Sequence, residues 1–135
     1  MRAEGGHVPQ YMLLLYSPVE GGPTREEATA EFPLWGQYTQ SLKDAGLFVA
    51  GDPLQGGESA TTVRVRDGET QITDGPFAET KELLVGYYLL EAADLDTVLE
   101  HAARVPNVRY GSVEVRPLWD MTQMTAAMEQ AQARA

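Results

Sequence analysis

Hydrophobic positions along the chain fall into short runs divided by breakers, in two different rhythms. Tyr11 to Tyr16 is a continuous apolar run of strand length, closed by the group Ser17-Pro18-Val19-Glu20-Gly21-Gly22-Pro23. Thr24 and Glu27 then stand at capping-box spacing, and Trp35, Tyr38, Leu42 and Ala45 recur at helical intervals before Gly46 supplies a stop. Pro33 is discordant within that segment and predicts a division into a first turn or two and a main helix. Leu47 to Ala50 is the next strand, followed by a glycine-rich loop over 51–59. Thr61 to Arg66 alternates, with Val63 and Val65 on one face and Thr62, Arg64 and Arg66 on the other, and Asp67-Gly68 predicts a two-residue hairpin turn into Thr70-Gln71-Ile72-Thr73. Leu84 to Leu90 is apolar on both faces. Asp94 is placed to cap a second helix built on Leu95, Val98, Leu99 and Ala102 and ended by Pro106, and Ser112 to Arg116 is the last strand, with Val113 and Val115 inward.

This β-α-β, hairpin, β-α-β order predicts an α+β domain of the split βαβ kind, with one inserted hairpin, over residues 11–118. Residues 1–10 form a tail and 119–135 a helical extension. Two of the strands are apolar on both faces, although helices in such a subunit cover only one side of the sheet. The uncovered face predicts sheet-on-sheet packing against an identical subunit, a homodimer. A competing cover is the segment Met121 to Ala135, whose Met121, Met124, Met128 and Ala131 make an apolar stripe.

Composition narrows the function. The 135 residues make one domain that buries about two thirds of its unfolded surface. Cysteine is absent, so disulfides, thiolate nucleophiles and cysteine-ligated metals are excluded. Twenty acidic against ten basic residues give a net charge of −10, a field that repels phosphate backbones and argues against direct nucleic-acid binding. The apolar runs fall short of the roughly 20 residues a membrane span needs, and residues 1–10 lack a hydrophobic signal core, so the expectation is a cytoplasmic protein without membrane association. There is no HxH, HExxH or Asp-x-Asp-x-Asp spacing, and the paired glycines lack the strand and helix context of a dinucleotide site. The expectation is therefore no metal and no cofactor.

The densest chemistry is Asp74-Gly75-Pro76-Phe77-Ala78-Glu79-Thr80-Lys81-Glu82. Asp-Gly-Pro is a chain-reversing triplet, and the charges behind it are candidates for a site in which Asp74 takes a proton or orients a ligand, Glu79 is a second carboxylate and Lys81 binds an anion. The structural alternative has Asp74 capping the turn, Phe77 packing in the core or dimer interface, and Lys81 paired with Glu79 or Glu82. Trp35, Arg64, Phe77, Tyr87 or Tyr88, Glu114 and Arg116 are candidates for lining a cavity between the two sheets of a dimer. Arg64, Glu114 and Arg116 have the alternative of pairing across neighbouring strands.

The wording DGPFAETKE closely resembles the signature of the DGPF branch of the YCII-related family. Similarity extends to the opening Tyr-Met-Leu-Leu-Leu-Tyr, Asp44-Ala45-Gly46, Ala60-Thr61-Thr62-Val63-Arg64, Gly86-Tyr87-Tyr88, Ala102-Ala103-Arg104-Val105-Pro106 and Val113-Glu114-Val115-Arg116-Pro117. The resemblance implies a ferredoxin-like subunit that pairs into a dimeric α+β barrel. By analogy with muconolactone isomerase-like and other barrel enzymes, it also implies a small organic ligand and isomerase-, lyase- or monooxygenase-like chemistry. Better-studied relatives are proposed to use a His and Asp pair, but this chain has no histidine in its first helix, with His7 in the tail and His101 in the second helix. The branch is often associated with extracytoplasmic-function sigma factors. The resemblance thus leaves two readings open, a cofactor-free acid/base enzyme and a non-catalytic regulatory protein.

Overall fold

Alternation along the first strand, β1 (Gln10–Pro18), sets the layering. In the computed structural model, which describes residues 8–76 and 80–134, Tyr11, Leu13 and Leu15 of β1 are buried while Met12, Leu14 and Tyr16 between them stay half-exposed. Five further strands and four helices follow: α1 (Arg25–Ala30), α2 (Phe32–Asp44), β2 (Phe48–Pro53), β3 (Thr61–Arg66), β4 (Glu69–Asp74), β5 (Glu82–Glu91), α3 (Leu95–Ala102), β6 (Ser112–Pro117) and α4 (Met121–Ala133). Four strands form an antiparallel sheet in the order β2-β5-β1-β6, and β3 and β4 form a separate two-stranded sheet. The result is an α+β fold in which β1 and β2, joined through the helices, flank β5, while β5 and β6, joined through α3, flank β1.

Local chemistry explains where the elements begin and end. Thr24 Oγ1 accepts from Glu27 N at 3.1 Å and Glu27 Oε1 accepts from Thr24 N at 3.1 Å, a complete capping box at the start of α1. Pro33 sits in the first turn of α2, where its missing N–H has no partner to lose, and the helix divides at Glu31 as the sequence predicts. Gly46 takes φ +74° behind α2, and Asp67 and Gly68 take φ 52° and 78° in the β3–β4 turn. Asp94 Oδ1 accepts from Thr97 N at 2.8 Å and starts α3. One strand is longer than its apolar run: Gly51, Asp52 and Pro53 pair with Tyr88, Tyr87 and Gly86, so β2 continues into what the sequence presents as loop.

α2 and α3 cover the β1 face that carries Leu13 and Leu15. Tyr38 and Leu42 from α2, Val98 and Ala102 from α3, and Tyr88 and Leu90 from β5 complete one core with them. Tyr38 packs edge-on to Tyr88, with centroids 5.4 Å apart, and its hydroxyl donates to the His101 carbonyl at 2.8 Å, which ties the two helices together.

The opposite face of the sheet is left open. Met12 and Leu14 pair with Leu89 and Tyr87 there, beside Arg116 and Glu114 of β6. α4 contains no buried residue, and its Met121 and Met128 are exposed, so α4 does not close that face within the subunit. On the β3–β4 arm, Val63, Val65 and Ile72 are 62%, 58% and 69% exposed. The accessible surface totals 10025 Å², whereas a monomer of this mass has about 7,000 Å².

Candidate functional site

Small residues hollow out the space between α2 and the β2–β5 edge. Gly36 faces it from the helix, and Gly51 and Gly86 from the strands. A Cβ on Gly51 would lie 2.5 Å from Tyr88 Cδ1, and one on Gly86 would lie 3.1 Å from the Asp52 carbonyl oxygen, so side chains at these positions would disturb the walls. The resulting cleft has a volume of about 710 Å³. From α2 it receives Phe32, Trp35, Thr39 and Lys43, spaced three or four residues apart and therefore on one helical stripe. Leu15, Leu54, Val85 and Tyr88 supply much of the opposing apolar wall.

Polar groups stand at intervals along this apolar space. Thr39 Oγ1 and Tyr88 Oη share a 2.8 Å hydrogen bond. At one end, the Tyr110 hydroxyl donates to Glu31 Oε2 at 2.8 Å and Arg109 Nη2 lies 3.1 Å from Glu31 Oε1. On the opposite, open face Tyr87 Oη donates to Asp52 Oδ2 at 3.0 Å. Lys43 Nζ rests 5.2 Å from the Phe48 ring centroid.

These surroundings hold the phenols in their protonated form. Desolvation, followed by the hydrogen bond to Glu31 and that group's charge, pushes Tyr110 up to about 12, with Arg109 opposing. Burial raises Tyr88, partly offset by its Thr39 bond, and the hydrogen bond to Asp52 is the main cause that raises Tyr87. The cleft therefore offers neutral hydroxyl donors, one carboxylate and one ammonium, a set suited to binding and orienting a small polar-tipped organic molecule. Among the described residues no group of three or more His, Cys, Asp or Glu is placed to hold a metal ion.

The candidates chosen from sequence are distributed over several places. Trp35 and Tyr88 line the cleft together. Glu114 and Arg116 pair with Leu14 and Met12 and so lie on the open face, where Tyr16 Oη donates to Glu114 Oε1 at 3.5 Å. Arg64 lies on the arm opposite Gln71. Asp74 ends β4, exposed, opposite Thr61. The reversal behind it is held by Gly75 N donating to the Ala60 carbonyl at 2.8 Å and Thr62 Oγ1 donating to the Gly75 carbonyl at 2.9 Å. Lys81 is exposed, and its carbonyl accepts from Val19 N at 2.9 Å. Phe77 and Glu79 lie outside the described residues.

Sequence reasoning passed over Glu31, Thr39, Lys43, Asp52 and Tyr110. The Phe32, Trp35, Thr39, Lys43 spacing was available as a second stripe beside the core-facing one, and Glu31 marks the break that Pro33 imposes. Tyr110 reaches the cleft only through tertiary folding, and Asp52 joins Tyr87 on the open face.

A family model described as the YCII-related domain matches residues 10–122. The chain is also 52% identical over 62 residues to a protein of Rhizobium meliloti (strain 1021) described as uncharacterized, a match covering 44% of this chain and 50% of that protein. It thus spans half the length of that relative.

Proposed function

Since the chain belongs to the YCII-related domain family, we propose that it binds a small organic molecule in the cleft between α2 and the β2–β5 edge, as a homodimer formed through the open sheet face. The observation that carries this reading is the cleft itself, about 710 Å³, mainly apolar and fitted with a few fixed hydroxyls and charges. On this reading the ligand lies on the helix side of the sheet and not between two sheets. Glu31 is the carboxylate available there for a cofactor-free acid/base reaction, with Tyr88 and Tyr110 as hydroxyl donors.

The finer family assignment belongs to the same proposal. The DGPFAETKE wording supports the DGPF branch, and the β2-β5-β1-β6 order is that of a ferredoxin-like subunit, which a second copy would complete as a dimeric α+β barrel. The half-exposed Met12 and Leu14 on the open sheet face support the dimer, since a second copy presenting the same face would cover them. A second reading, a regulatory protein acting through contact with a sigma factor, draws on the exposed Val63, Val65 and Ile72 of the arm.

Native mass spectrometry of protein taken gently from its own cells tests the proposal. The expected species is a dimer with one small organic molecule retained per subunit. A bare dimer, or one with a protein attached, would favour the regulatory reading, and a monomer would overturn the barrel.

A further inference from the structure

Two charged side chains belong to the cleft: Glu31 before α2 and Lys43 in its last turn. The Glu31 carboxylate already accepts hydrogen bonds from Tyr110 and Arg109. The neighbouring Asp44 carboxylate is likewise occupied, accepting from Gln40 Nε2 at 2.9 Å. Lys43 has no carboxylate partner among the described residues; its ammonium lies only over the Phe48 ring. The one uncommitted charge of the cleft is therefore positive, in a protein whose net charge is −10.

The charges are also separated along the cleft. Glu31 precedes α2 and Lys43 lies in its last turn, and twelve residues of helix put their backbones about 18 Å apart. Between them lie Phe32, Trp35 and the Thr39–Tyr88 hydroxyl pair, with Leu54 and Val85 opposite. Aromatic faces in the middle suit a flat ring system, and with Glu31 neutralised by Arg109 the unpaired ammonium of Lys43 is the end that attracts an anionic group.

We propose that the cleft is selective for aromatic carboxylates, with the acid group at Lys43 Nζ and the rings beside Trp35 and Tyr88. This inference rests on the cleft being the ligand site and adds the ligand's charge and shape. Lys43 is the specificity-determining residue. Its other role, complementing the carbonyl end of α2, carries no preference for charged over neutral ligands.

The two are separated by a matched pair of probes, 2-naphthoate and its neutral isostere 2-naphthamide. The chain has two tryptophans, so a Trp119→Phe background leaves Trp35 as the sole fluorescent reporter. Both probes are expected to quench Trp35, with naphthoate binding more tightly by about two- to fivefold, as one exposed ion pair supplies. Lys43→Met should bring the ratio of the two affinities close to one, and Lys43→Arg should restore the preference. Equal binding of the two probes, or a preference that survives Lys43→Met, would overturn the charge assignment while leaving the cleft as a site. Failure of both probes to bind would overturn the cleft reading and this inference together.

Discussion

Leu13 and Leu14 are adjacent residues of identical chemistry on β1, yet Leu13 is fully buried and Leu14 is only half-covered. The difference lies in what each face of the sheet meets. Leu13 lies against the core that α2 and α3 complete, whereas Leu14 points to the side where no helix lies. One face is finished by the chain itself and has room, because of Gly36, Gly51 and Gly86, for a cleft. The other has the apolar residues of an interior without a second layer. Burying such a face is favourable at about 25 cal/mol per Å², and a second copy presenting the same face is the simplest cover.

The largest effect expected from this comparison comes from the Leu13 and Leu14 pair itself. Leu13→Ala should lower the unfolding free energy by about 2–5 kcal/mol, read by denaturant titration, because the core cannot close around the lost volume. Leu14→Glu should leave the subunit folded but weaken dimerisation by on the order of 3 kcal/mol, about a hundredfold in Kd, since a carboxylate would be trapped between apolar sheets. Sedimentation equilibrium checks it. A variant that dimerises like the natural chain would remove the open face from the interface.

A smaller effect is expected at the cleft wall. Gly51→Ala puts a methyl group where Tyr88 Cδ1 lies 2.5 Å away, so the ring must move and the Thr39–Tyr88 bond must loosen. The expected cost is about 1–3 kcal/mol in thermal unfolding, with weaker binding of any cleft ligand and an unchanged dimer. If dimerisation fell instead, the two faces would not be separate in function.

The smallest effect is a pH dependence. Tyr110 has its phenol pushed up to about 12 in the folded chain, against about 10 when unfolded. Between those values the folded state keeps a proton that the unfolded state has released. The contribution is therefore fully present below pH ~10 and lost as pH rises through the folded value. Urea titrations at increasing pH should show stability falling across that window, with a shallower fall in Tyr110→Phe. An identical slope in the variant would mean that Tyr110 is not coupled to Glu31 as described.

Most of the secondary structure was legible because local chemistry dictates it: the Thr24–Glu27 box, the Pro33 break, the Asp67-Gly68 turn and the Asp94 cap depend on residues within a few positions of one another. The site was less so. Trp35 and Tyr88 were chosen from sequence and share the cleft, but Tyr88 faces the helices, a consequence of which strands flank β5 that alternation alone does not state. Glu114 and Arg116 alternate with Val113 and Val115 and so fall on the other face. Glu31 and Tyr110 meet from positions far apart in sequence, at 2.8 Å, through the packing of α2 near the turn after α3. No spacing rule reaches that far.

The central claim is that the helix side of the sheet holds the ligand and the open side holds the second subunit. A crystal structure of the protein grown with 2-naphthoate tests it most directly. The account expects the naphthoate beside Trp35, between α2 and the β2–β5 edge, with Met12, Leu14 and Leu89 packed against their counterparts in a second copy. Naphthoate bound on the open face, among Tyr16, Glu114 and Arg116, would contradict it.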